Sequence, residues 1–120
     1  MPDDIDDLIV AVERLINQVL HWTPSRWGAA SSVSEPATPN RASEHRSRGD
    51  VFHALVQRIA DLAATAEGEP RRAVPRLDND LALPDQLLVV TQDLIRAKPD
   101  AETVTAAMAA VREARTALWG

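Results

Sequence analysis

The side chains able to do chemistry fall into four groups, and the densest is Trp22-Thr23-Pro24-Ser25-Arg26-Trp27. Trp and Arg are enriched at the energetic centres of protein interfaces, where a large ring and a planar guanidinium fill and bridge pockets on a partner. Trp22, Arg26 and Trp27 are therefore candidate partner-anchoring residues. A purely structural role is the competing expectation: Trp22 continues a helix stripe, Trp27 folds back over one end of the fold, and Trp119 closes the last helix.

The second group is Arg71, Arg72 and Arg76, set among Pro70 and Pro75. Guanidinium forks grip carboxylates and phosphates through paired hydrogen bonds, so these three are candidate partner- or ligand-binding residues. With many aspartates in the chain, an intramolecular clasp is the favoured expectation. The third group is Asp78, Asp80 and Asp85, whose oxygens suit a hard cation. The run lacks the glycine and distal glutamate of a calcium loop, and acids ahead of a helix are ordinary caps, so no metal site is expected.

The last group is His21, His45 and His53, which are scattered without a His-x-x-x-His or Glu-x-x-His pair. A di-iron helical site is therefore not expected. No Gly-x-Ser-x-Gly elbow or glycine-rich phosphate loop occurs, and with 4 glycines and no cysteine the chain offers little for nucleophilic, redox or phosphate-cradling chemistry. No catalytic residue and no cofactor are expected.

Charge limits the partners. The net charge of −5 argues against nucleic acid, whose phosphates need a clustered basic excess. Its distribution is uneven: residues 25–49 and 70–76 are basic, whereas the amphipathic segments are acidic or neutral. Twelve of the 13 basic residues are arginine, a usage that suggests a high-GC bacterial source. No apolar run is long enough to span a membrane, and no basic-then-apolar leader opens the sequence, so a cytoplasmic location is expected.

These groups must be positioned by helices. Ile5, Leu8, Val12, Leu15, Val19 and Trp22 recur at 3-4 spacing, with four aspartates crowding the start, which predicts a helix over about 3–21. Ser47 and Asp50 have capping-box spacing ahead of Phe52, Leu55, Ile59, Leu62 and Ala66, with Val56 and Ala63 beside them, predicting a second helix over about 50–67 closed by Gly68. Pro84 begins a third over 84–98, with Leu87, Val90, Leu94 and Ala97 as its stripe and Leu88, Thr91 and Ile95 flanking. A fourth follows over 100–119, with Ala101, Val104, Met108, Val111 and Leu118 on one face and Ala107 and Ala114 alongside. The short Lys98-Pro99-Asp100 break should make the last two helices antiparallel neighbours.

The expected fold is all-α: one domain over 1–120, a single four-helix bundle of antiparallel helices with a long first connection and an extended Arg/Pro second connection. Within the first connection a mobile loop is expected over 29–47, where Ser, Pro and Ala replace any apolar period; it would act as slack letting the next helix reach its place. The expected function is non-catalytic protein association through the Trp-containing loop, the Arg/Pro segment or a helix face, because catalytic constellations are absent beside two unusual connections. A homodimer is expected alongside a protein partner because three apolar stripes exceed one core's needs. The alternative is a small-molecule or anion-binding bundle using the Trp loop with Arg71 and Arg72.

Overall fold

The computed structural model describes residues 2–29 and 47–119. It is all-helical, with four long helices around one apolar core and no β-strand among the described residues. The elements are α1 (Pro2–Val19), α2 (Pro24–Gly28), α3 (Arg48–Glu67), a 3-10 turn (Asp80–Ala82), α4 (Leu83–Arg96) and α5 (Ala101–Trp119). Expected loop 29–47 lies, over 30–46, outside the described residues.

The local chemistry of the helix ends follows the expected rules. Ser47 and Asp50 form a reciprocal capping box: Ser47 Oγ accepts from the Asp50 N–H, and the Asp50 carboxylate accepts from the Ser47 N–H, each at 3.0 Å. Gly68 ends α3 with φ of 71°, the left-handed geometry that glycine adopts without steric cost. Thr23 caps α2 by accepting from the Arg26 N–H at 3.2 Å, with Pro24 in the first turn. That short helix was not expected. Its cue was present in Thr23-Pro24, a cap residue followed by proline, but α2 holds too few residues to show a period.

Residue contacts fix how the helices run. The end of α1 meets the end of α5 through Trp22 and Trp119, and Arg48 at the start of α3 donates to the Leu118 carbonyl at 3.2 Å. Arg76 bridges Asp50, in the first turn of α3, to Asp80, just ahead of α4. So α1 and α5 end, and α3 and α4 begin, at one end of the molecule, hereafter the upper end. The expectation that neighbouring helices are all antiparallel is corrected here: α3 and α4 share a direction. They can do so because Glu69–Asn79 returns the chain extended along α3. About eleven residues at roughly 3.3 Å each cover about 36 Å, enough to retrace a helix of about 30 Å.

The principal packing pairs are α3 with α4, α3 with α5, α1 with α5 and α1 with α4. The close pairing of α4 with α5 expected from their short connection is not among them. Four residues reach roughly 13 Å, which spans the diagonal between helices packed about 8–10 Å from shared neighbours. Lys98, at φ of 53°, makes the reversal.

The core is aliphatic with an aromatic cap. Leu8, Val12, Leu15 and Val19 of α1 are buried, as the spacing predicts. On α3 the buried set includes Val56 and Ala63, while Leu62 and Ala66 are only half-buried, because packing against both α4 and α5 turns the inward face toward 56 and 63. On α5 the inward face carries Val104, Ala107, Val111, Ala114 and Leu118, whereas Ala101 is exposed and Met108 packs only partly. Of the residues expected to flank the α4 stripe, Thr91 is buried whereas Leu88 is exposed. None of the described helices is long and apolar enough to cross a membrane.

The first connection needs little chain to cross between helices. The Arg48 N–H donates to the Ala29 carbonyl at 2.9 Å, so the two described ends of residues 30–46 lie together. The slack expected of residues 30–46 lies outside the described residues, while α2 delivers the chain to the start of α3.

Candidate functional site

All four aromatic rings of the chain, three Trp and one Phe, form one train across the upper end. Trp119 lies 5.3 Å from Trp22, Trp22 is 4.8 Å from Trp27, and Trp27 meets Phe52 edge-on at 5.2 Å and 88°. Such offset and edge-on pairs are favoured by the ring quadrupoles. Trp22 and Trp27 are buried, so the expected packing role holds for both, while Trp119 keeps 42% of its surface exposed. The train thus runs from solvent into the core.

Two guanidiniums cover the middle ring. Arg26 Cζ sits 4.7 Å from the Trp22 centroid and Arg48 Cζ 5.9 Å from it, within the range at which a cation is drawn to an indole face. Arg26 is placed by the Thr23 cap of α2, one turn after the ring it covers. Arg48 is placed by the capping box and by its Nε bond to Leu118. Neither has an ion pair among the described residues. Of the predicted residues, Trp22, Arg26 and Trp27 therefore come together in one cluster at the upper end, where Arg26 is exposed and the two rings are buried. Arg48 and Trp119 belong to it as well, and sequence reasoning did not place them there. Arg48 lies 22 positions after Arg26, and only the Ala29–Arg48 closure brings them to one ring.

The arginines of the second group separate. Arg76 donates to Asp50 at 2.7 Å and to Asp80 at 3.0 Å, which is the expected intramolecular clasp. Gly49 makes room for it: a Cβ there would lie 2.7 Å from both an Arg76 amino group and an Asp80 oxygen. A cation over the start of a helix opposes the macrodipole, and the two carboxylates offset that. Asp50 is pushed up by burial, but the hydrogen bonds from Arg76 and Ser47 outweigh this and hold its carboxyl below the ordinary range. For Arg76, burial favours loss of the proton, and the bonds to Asp50 and Asp80 outweigh it, so its pKa rises.

Arg71 and Arg72 are exposed on the return segment and form no ion pair among the described residues. The segment itself is strapped to α3 by side chains that replace a partner strand. Gln57 donates to the Arg72 carbonyl at 3.0 Å and accepts from the Val74 N–H at 2.7 Å. His53 bonds the Val74 carbonyl at 2.9 Å, and Gln86 donates to the Pro75 carbonyl at 3.1 Å. Between strap, α3 and α4 lies an open cavity of about 520 Å³ lined by Ala63, Glu67, Pro70, Arg72, Val90 and Asp93 among others, and no tryptophan lines it. The alternative pocket that would join the Trp loop to Arg71 and Arg72 does not form at this cavity.

The remaining candidates have local explanations. Asp80 is held by Arg76, and Asp78 and Asp85 are exposed. Among the described residues no group of three acidic or histidine side chains could hold a metal ion. His53 is occupied by the strap, His21 is exposed, and His45 lies outside the described residues. Three buried polar atoms have no hydrogen-bond partner, Trp27 Nε1, Gln86 Oε1 and Thr91 Oγ1.

No family model matches the chain, and neither a curated protein nor a solved structure does. Its function has to be read from its own geometry.

Proposed function

We propose that this chain is a non-catalytic association module, a four-helix bundle with two helices up and two down that binds a protein partner or a second copy through its upper end. One arrangement carries the reading: a half-exposed Trp119 touches a buried Trp22 whose ring is covered by Arg26 and Arg48. Buried aromatic anchors with adjoining arginines are what interface centres are made of. The net charge of −5 makes nucleic acid a poor partner for such a surface. Small-molecule or anion binding by the Trp loop with Arg71 and Arg72 has less support, since the strap holds Arg72 beside a cavity that no tryptophan lines.

Sedimentation across a wide concentration range, with capture on the immobilised protein and on its Trp119→Ala variant, tests the reading. Self-association or a captured partner that weakens with Trp119→Ala supports it. A strict monomer that retains nothing refutes it.

A further inference from the structure

We infer that the Trp22, Arg26, Arg48 and Trp119 surface is a dock for an acidic peptide segment that carries an apolar side chain beside its carboxylate. The inference rests on the association reading and names the chemistry of its partner. Two cations sit on one indole, at 4.7 and 5.9 Å from the same centroid. Both charges are held at one ring without a counter-ion: no carboxylate among the described residues pairs with either. A carboxylate brought to either guanidinium supplies the missing counter-charge and gains charge-assisted hydrogen bonds.

Of the two donors, Arg48 is already oriented. Arg48 has its Nε bound to the Leu118 carbonyl, which fixes the guanidinium plane and leaves its two terminal amino groups for a ligand. Arg26 is exposed, and its side chain has no hydrogen bond among the described residues. The Trp119 ring supplies a half-exposed apolar surface against Trp22, the ring that both cations cover.

A peptide suits this better than a phosphate or a nucleic acid. A free anion has no use for the ring, and a polyanion meets a protein of net charge −5, with only these two unpaired arginines on the aromatic train to receive it. A peptide presenting one or two acids with a leucine beside them matches both parts of the surface.

The test titrates the full chain with a capped hexapeptide, Gly-Glu-Leu-Asp-Leu-Gly, and with its Gln/Asn counterpart, followed by tryptophan fluorescence and by indole N–H signals in NMR. Saturable binding of the acidic peptide is expected, at least tenfold weaker for the neutral one and for Arg26→Gln/Arg48→Gln. Trp119→Ala should weaken the peptide at least fivefold while leaving the response to acetate unchanged. Should the double variant lose its circular dichroism signal, Arg26→Gln alone must weaken binding, and the charge-preserving Arg48→Lys must retain part of it. Equal binding of the neutral peptide, displacement by inorganic phosphate at peptide-like concentrations, or tighter binding of a single-stranded oligonucleotide overturns the inference. Self-association that survives in Arg26→Gln/Arg48→Gln, without peptide binding by the wild type, overturns it while leaving the association reading intact.

Discussion

Trp27 offers the most discriminating test of how the upper end is built. Its side chain is fully buried, between Trp22 and Phe52, yet its indole N–H finds no acceptor. Two effects of opposite sign therefore meet at one residue. Trp27→Ala removes the ring from both aromatic pairs and leaves a cavity, which costs about 3–5 kcal/mol in typical cores. Trp27→Phe keeps a ring edge against both neighbours. It forfeits roughly 50 Å² of buried apolar surface, about 1.2 kcal/mol, plus about 1 kcal/mol for the residual cavity. Against that, deleting a buried donor without an acceptor returns about 1–3 kcal/mol.

The net expectation for Trp27→Phe is within about 1 kcal/mol of the wild type, while Trp27→Ala loses several times as much. Urea unfolding followed by far-ultraviolet circular dichroism measures both without depending on the altered fluorophore. For a domain of this size 1 kcal/mol corresponds to roughly 3–6 °C in Tm, so the two variants are well separated. A Trp27→Phe cost above about 2.5 kcal/mol would refute the reasoning, since only an N–H satisfied in solution would make its removal that expensive.

Three further outcomes follow from the described contacts. Gly49→Ala should destabilise the wild type, because its Cβ meets Arg76 and Asp80 at 2.7 Å, but should be neutral or stabilising by up to about 1 kcal/mol in an Arg76→Ala background, where the helix propensity of alanine is free to act; additivity in that cycle would count against the clasp. Asp50 has a depressed folded-state pKa, so the unfolded chain binds its proton first: the stabilisation is present above the ordinary carboxylate range and is lost as pH falls through the folded value. Urea midpoints between pH 2 and 6 should therefore fall less steeply for Asp50→Asn than for the wild type, and parallel curves would contradict the assignment. Replacing residues 30–46 by a two- or three-residue linker should preserve the helical circular dichroism signal, because Ala29 and Arg48 are already hydrogen-bonded; loss of cooperative unfolding would show that the closure needs more than its two ends.

What was legible in the sequence was whatever a single segment determines. The 3-4 spacing of Leu8, Val12, Leu15 and Val19, the capping box at Ser47 and Asp50, and the left-handed Gly68 each depend on neighbours within a turn or two, and each lies where the spacing puts it. Helix directions depend on more than one segment. Nothing in Glu69–Asn79 announces that it lies back along α3; that course is fixed by Gln57, His53 and Gln86, polar residues on helices whose side chains substitute for strand partners. The pairing of α4 with α5 was misjudged for a similar reason. A four-residue connection bounds the distance between helix ends but leaves both the adjacent and the diagonal arrangement within reach.

The candidate site shows the same division, and it bears on how the charge contrast in this chain should be understood. The two basic connections resemble each other in sequence, yet their arginines meet different fates. Arg76 is consumed by Asp50 and Asp80, and its geometry depends on a glycine at position 49. Arg71 and Arg72 ride on a strap whose backbone, rather than whose charge, is held. Only Arg26 and Arg48 combine a fixed position, an aromatic support and no carboxylate among the described residues. Charge alone therefore does not single out the proposed docking surface. The helix caps decide it, because Thr23 and Ser47 set the two short stretches of backbone that bring Arg26 and Arg48 over one ring.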